Sequence, residues 1–208
     1  MKNWLIKGVL IATYLLIAMP LRIIFRVKRK GDLEIKKPGK YIIAANHPSK
    51  LDPFIILASL PFKVYLKLIP TRFVTTQNYL TKWYHKFFLI PLGCISNKPK
   101  KNKKPLEILE KRLRSGETIF IFPRGELEKR GIKSEPKVSV VYLERNVKGS
   151  KIIPVNIYIS GSLSFINVIK RKVKIEVTFK EVFRHKEFKE DLQIMANDVI
   201  RRIEKDGK

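Results

Sequence analysis

Tyr41-Ile42-Ile43-Ala44-Ala45-Asn46-His47-Pro48-Ser49-Lys50-Leu51-Asp52 is the stretch whose reading decides the fold. Its first five residues form an apolar run with the length and β-branched character of a buried strand. A polar turn follows, and Asp52-Pro53 opens a second apolar run, Phe54-Ile55-Ile56-Leu57-Ala58, which reads as a helix. Asp is a favoured N-cap and Pro a favoured first helical residue, so Asp52 has a structural role open to it. A His just past a buried strand also projects into a cleft, where an Asp can hold one ring nitrogen while the other takes a proton. One carboxylate can serve both purposes.

The spacing alone decides little. With 3 His and 5 Asp in 208 residues, a His-x4-Asp arises by chance in about 7% of such chains, so context must carry the argument. His185, followed five residues later by Glu190, is the useful contrast. It stands among Arg184, Lys186, Glu187 and Lys189 and reads as solvated surface. His85 lies within the aromatic cluster Trp83, Tyr84, Phe87 and Phe88, with no carboxylate near it, and reads as structural or interfacial. That cluster is core or, next to a membrane, the lining of an acyl-chain groove. His47 alone sits between an apolar strand and an apolar helix.

Working outward, Gly31-Asp32 and Pro38-Gly39 mark turns, with Leu33-Glu34-Ile35 a short strand between them. Residues 98–104 form a basic loop. Pro105 starts a helix that places Leu106, Leu109 and Leu113 on one face and ends at Ser115-Gly116. Thr118–Phe122 is a second buried strand, running directly into Pro123-Arg124-Gly125-Glu126. Ile152–Ile157 is a third, in which Pro154 marks an edge or bend. Val173–Phe179 alternates and reads as a fourth, and Leu192, Met195, Ala196, Val199, Ile200 and Ile203 form the stripe of a last core helix. Strands interleaved with helices imply an α/β fold with a mixed, largely parallel sheet flanked by helices. In such sheets ligands bind outside the carboxyl ends of the strands. If the strands are parallel, the His47 and Arg124 loops open on one edge.

The net charge of +26 calls for an anionic partner. The N-terminus narrows the choice. Gly8 to Leu21 carry no charge, the apolar stretch widens to Trp4–Phe25 if Lys7 and Arg22 are tolerated, and Arg26, Lys28, Arg29 and Lys30 follow at once. This reads as a membrane-anchoring helix over residues 1–30, either spanning or lying in the interface. Its basic flank would face anionic headgroups on the cytoplasmic side. Residues 31–208 form the remaining domain. Cys94 is the only cysteine, so no intrachain disulfide can form.

There is no Gly-x-Ser-x-Gly elbow, no His-Glu-x-x-His, no cysteine pair and no glycine-rich nucleotide loop. What remains is a His/Asp pair acting as base on a substrate hydroxyl, with direct transfer to that hydroxyl and neither metal nor cofactor. The reading from another class is a basic membrane- or nucleic-acid-binding protein without catalysis, though the signatures of nucleic-acid folds are missing and no nucleic-acid partner is expected.

From about Gly31 to Tyr158 the chain resembles the glycerolipid acyltransferase family, that of 1-acylglycerol-3-phosphate acyltransferase. Asn46-His47-x4-Asp52 matches the family's NHx4D block, Phe122-Pro123-x-Gly125 the frame of its FPEGTR block, and Ile153-Pro154-Val155 its late apolar-Pro block. The resemblance implies a glycerol-3-phosphate acyltransferase-like fold. It implies His47 as general base, Asp52 orienting it, and attack of a lipid hydroxyl on the thioester of acyl-CoA or acyl carrier protein. It implies a substrate site from Asn46, Lys98, Phe122, Pro123, Arg124, Gly125 and Glu126, and a location at the cytoplasmic side of a membrane. The chain departs from the family in having Arg124 where Glu is usual and Glu126-Leu127 where Thr-Arg is usual. Gly93-Cys94-Ile95 opens the second block, but the family's Arg is missing there and Lys98 is the nearest cation. Another lysophospholipid or a glycolipid is therefore also a possible acceptor.

Overall fold

A computed structural model describes residues 3–75, 93–96, 104–128, 134–164, 167–168, 170–188 and 191–205. Lys98, His85 and the aromatic cluster around it lie outside the described residues.

Among the described residues seven strands form one sheet: β1 (Lys28–Lys30), β2 (Tyr41–Ala45), β3 (Thr71–Thr75), β4 (Cys94–Ser96), β5 (Thr118–Ile121), β6 (Lys151–Ser160) and β7 (Lys174–Phe179), in the order β1-β7-β6-β2-β5-β3-β4. Every neighbouring pair is parallel except β6 with β7. The expected α/β fold with a mixed, largely parallel sheet is the one observed.

β2 shows why its sequence is apolar throughout. Tyr41, Ile43 and Ala45 face one hydrophobic cluster while Ile42 and Ala44 face another, and all five are buried. Side chains alternate across a strand, so a strand covered on both faces loses the polar alternation of a half-exposed one. On the first face lie the N-terminal helix α1 (residues 3–24), α2 (Asp52–Ser59) and α3 (Phe62–Leu68). On the second lie α4 (Pro105–Arg114), α5 (Ser139–Asn146) and α6 (Leu192–Glu204). The result is three layers, with β2 at the centre of the sheet.

α1 runs as Asn3–Thr13, a π-helical turn Tyr14–Ala18, and Met19–Ile24. Ile6, Leu10, Tyr14 and Ala18 are buried in the first cluster, each four residues from the last. A four-residue step overshoots a 3.6-residue turn by about 40°, so such a row winds around a regular helix. The wider π turn falls between the last two members of the row and brings it back toward the core. Tyr14 Oη donates to the Leu60 carbonyl at 2.6 Å, and Tyr65 Oη donates to the Leu10 carbonyl at 2.8 Å. On the opposite side Trp4, Leu16 and Ile23 are 69–75% exposed.

Some elements differ from the sequence expectation. Leu33-Glu34-Ile35 joins no strand; Leu33 and Ile35 simply bury their side chains. The basic run Lys28–Lys30 is itself an edge strand, paired with Glu176–Thr178. Pro154 lies in an interior strand, between β2 and β7. Its ring is tolerated because Ile152 and Phe183 exchange both backbone hydrogen bonds, after which the chain bulges, so that Pro154 need only accept from the Lys180 N–H at 3.0 Å. Gly31, at φ +75°, is fixed by close approach: a Cβ there would lie 2.1 Å from the Phe179 carbonyl oxygen.

Candidate active site

His47 follows β2 by two residues, and Phe122 follows β5 by one. Because β2 and β5 are parallel neighbours, both loops leave the same edge of the sheet, as a site at the carboxyl ends of the strands requires.

Local geometry makes the His/Asp pair. Asp52 is the first residue of α2, with Leu51 as its cap. Its carboxylate does not cap its own helix. It reaches backward: Oδ2 lies 2.8 Å from His47 Nδ1 and accepts from the Ser49 backbone N–H at 2.9 Å. Ser49 Oγ in turn accepts from the Leu51 N–H at 2.9 Å, closing the turn. Asp52 is completely buried, and among the described residues its Oδ1 has no hydrogen-bond partner. Burial raises the Asp52 carboxyl above its ordinary range, against the lowering effect of the bonds from His47 and Ser49, with Glu128 adding a smaller push upward. A carboxylate on Nδ1 keeps the proton there and leaves the lone pair on Nε2. The His47 side chain is 18% exposed, enough for Nε2 to meet a substrate.

The second loop supports the imidazole. Phe122 stacks on His47, with centroids 3.7 Å apart and planes at 9°. Gly125 N–H closes a turn onto the Phe122 carbonyl at 2.9 Å, and Glu128 N–H donates to the His47 carbonyl at 2.8 Å. Asn46 is tied to the sheet: its Nδ2 donates to the Ile157 carbonyl at 2.9 Å and its Oδ1 accepts from the Ile157 N–H at 2.6 Å. It thereby prolongs the β2–β6 ladder and sets the direction in which His47 leaves it.

Arg124, expected from the resemblance to meet substrate, is buried and engaged on three sides. Nε donates to the Ser134 carbonyl at 3.0 Å, and Nη1 pairs with Glu204 at 2.7 Å and Glu128 at 3.3 Å. Pro123 is buried, and its carbonyl accepts from Lys137 N–H at 2.8 Å. Gly125 and Glu126 are exposed. Sequence reasoning missed Ser49, Glu128, Lys137 and Glu204. Only Ser49 carried a local signal, as a turn-forming hydroxyl two residues before Leu51.

His185 is not the solvated residue its neighbours suggest. Its Nδ1 lies 2.6 Å from Glu144 Oε2 and its N–H donates to Glu144 Oε1 at 2.7 Å, with Glu144 fully buried. Glu190 lies outside the described residues. Among those described, no cluster of three or more His, Cys, Asp or Glu side chains is placed to hold a metal.

Comparison with known proteins speaks to the family and the fold. No functionally curated protein matches the chain. A solved structure, the 1-acyl-sn-glycerophosphate (LPA) acyltransferase PlsC from Thermotoga maritima, superposes with a TM-score of 0.60 at 17% identity, over 96% of this chain and 93% of that one. At that identity the likeness speaks for the fold. The family model described as Acyltransferase matches residues 26–158, a span that contains both loops and the strands that carry them, and the chain belongs to that acyltransferase family.

Proposed function

We propose that this protein is a membrane-associated O-acyltransferase. It moves a fatty acyl group from the thioester of acyl-CoA or acyl carrier protein to a lipid hydroxyl, with 1-acylglycerol-3-phosphate as the first acceptor to test and phosphatidate as the product. The observation that carries this reading is the 2.8 Å contact of His47 Nδ1 with the buried Asp52 carboxylate. His47 Nε2 takes the hydroxyl proton as the oxygen attacks the thioester carbonyl. The C–S bond then breaks, and the thiolate leaves with the proton that His47 returns. Asp52 orients the imidazole and stabilises its charged form. A positioned base of this kind contributes about 10²–10⁴-fold. Phe122 fixes the ring, and Asn46 and Arg124 hold the two loops to the body of the domain. Lys98 and Glu126 remain candidate substrate contacts.

The membrane part of the reading rests on α1. The stretch Trp4–Ile24 has the length and composition to cross a bilayer, but one of its faces is committed to the domain through Ile6, Leu10, Tyr14 and Ala18. A helix bound along its length to a soluble body lies in the interface rather than through it. Its outward residues Leu15, Leu16, Ile23 and Ile24 are joined by Phe62 and Leu66 of α3, all exposed. The cations of β1 follow directly, suited to anionic headgroups on the cytoplasmic side.

The test is purified protein with labelled acyl-CoA or acyl carrier protein against a panel of lysolipids, glycolipids and monoacylglycerols, in detergent and in liposomes. Transfer should appear and His47→Ala should lose it while membrane binding persists. No product with any pair would leave a non-catalytic membrane-binding protein as the better reading.

A further inference from the structure

Among the described residues of the loop after β5, two cations, Arg124 and Lys137, are in very different states. Arg124 is buried and faces two carboxylates, Glu128 and Glu204, so its charge is spent inside the protein. Lys137 is exposed, and among the described residues no carboxylate lies within ion-pair distance of its ammonium. Its backbone is fixed to the same loop through the Pro123 carbonyl. Its side chain lies across Gly125: a Cβ at that glycine would meet Lys137 Cδ at 3.3 Å, Cε at 3.0 Å and Nζ at 2.6 Å. Gly125 has φ +74°, a conformation that glycine adopts without strain. The missing side chain therefore both permits the turn and opens a seat for the ammonium. That turn starts at Phe122, whose ring covers His47.

We infer that Lys137, rather than Arg124, is the specificity residue that receives the phosphate of the acceptor lipid, at the Gly125 turn beside His47. The inference rests on the acyl-transfer reading and adds a residue to it. An ammonium with no carboxylate partner among the described residues, lying over bare backbone, is a ready partner for a phosphate monoester, and a contact of this charge-assisted kind changes binding by about 10- to 100-fold. The acceptor selected is an anionic lysophospholipid; an uncharged monoacylglycerol gains nothing from Lys137.

Steady-state kinetics of Lys137→Gln, Lys137→Arg and the remote control Lys148→Gln test this, using a water-soluble short-chain 1-acylglycerol 3-phosphate and the matching uncharged monoacylglycerol. Lys137→Gln should raise KM for the phosphate acceptor about tenfold or more, with kcat, the KM of the thioester donor and the KM of the uncharged acceptor unchanged. Lys137→Arg should restore most of the loss, and Lys148→Gln should behave as wild type. An unchanged acceptor KM, an equal rise for both acceptors, or a rise in donor KM alone would overturn the assignment. If the wild type transfers no acyl group to either compound, the functional reading fails. Equilibrium dialysis of the same two compounds then judges Lys137 separately: equal retention of the phosphate compound by wild type and Lys137→Gln would overturn it.

Discussion

The imidazole of His47 lies flat on the ring of Phe122, centroids 3.7 Å apart and planes 9° from parallel. Phe122 is itself held edge-on by Phe120 at 5.0 Å, and Phe120 rests on Phe73 at 5.1 Å. A file of rings thus runs from the core of the sheet to His47, the proposed base, fixing the plane of the imidazole while Asp52 fixes its rotation. Stacked aromatic pairs contribute about 0.5–1.5 kcal/mol. Phe122→Leu, which keeps the apolar volume and loses the stack, should therefore lower kcat about 2- to 13-fold with donor KM little changed. A kcat equal to wild type under saturating substrates would show that Asp52 alone orients His47.

In the proposed mechanism Asp52 serves activity at the expense of stability. Burial raises its carboxyl, so the ionised form is costly to the fold. A raised folded pKa means that the folded state binds more protons than the unfolded one in the window between the two values. Stability contributed by this group therefore falls as pH rises through that window. Asp52→Asn should melt at or above the wild-type temperature at pH 7. That advantage should shrink as pH is lowered through the raised folded pKa, because the wild-type carboxyl then becomes neutral as well. Acyl transfer should fall about 10²–10⁴-fold. Denaturation curves at pH 7 and pH 4 decide the matter: a variant much less stable at pH 7 alone would mean that the His47 and Ser49 bonds outweigh burial.

The parts legible in the sequence are those whose cause is local. β2 and β5 announce themselves because both faces of each are covered, which makes their sequences continuously apolar. His47 and Asp52 are five residues apart within one loop, so spacing exposes the pair. β1 is hidden because Lys28, Arg29 and Lys30 are all exposed and it is held by backbone pairing with β7 and by the Lys30–Glu176 ion pair at 2.7 Å, both with residues far along the chain. The partners of the second loop are hidden for a related reason. Arg124 meets Glu204 across 80 residues, and Lys137 reaches Gly125 across a segment of unremarkable polar composition. Whether an arginine binds substrate or holds the fold depends on such distant carboxylates, and a motif read residue by residue cannot supply them.

Arg124 accordingly has a structural consequence that can be separated from catalysis. Arg124→Gln removes the positive charge facing Glu128 and Glu204 and weakens the link to the Ser134 carbonyl. Both carboxylates are partly exposed, so the loss is smaller than for a sealed pair, about 1–3 kcal/mol. The melting temperature should drop while KM for a phosphate-bearing acceptor stays near wild type at a temperature where the variant is folded. A large rise in that KM without loss of stability would instead make Arg124 a direct substrate contact.

The outward face of α1 can be tested without disturbing the inward one. Leu16 and Ile23 are 75% and 73% exposed, so charging them leaves the contacts of Leu10, Tyr14 and Ala18 intact. Leu16→Glu with Ile23→Glu should leave the melting temperature within a degree or two, since exposed substitutions change stability little. It should also cut binding to anionic vesicles by about tenfold or more, because two apolar side chains leave the bilayer interface and two negative charges face anionic lipid. Added salt should weaken the remaining binding, as expected where the cations of β1 meet headgroups. Flotation with vesicles, run beside thermal melts, reads both effects. Undiminished flotation by the folded double variant would place the membrane contact elsewhere on the protein.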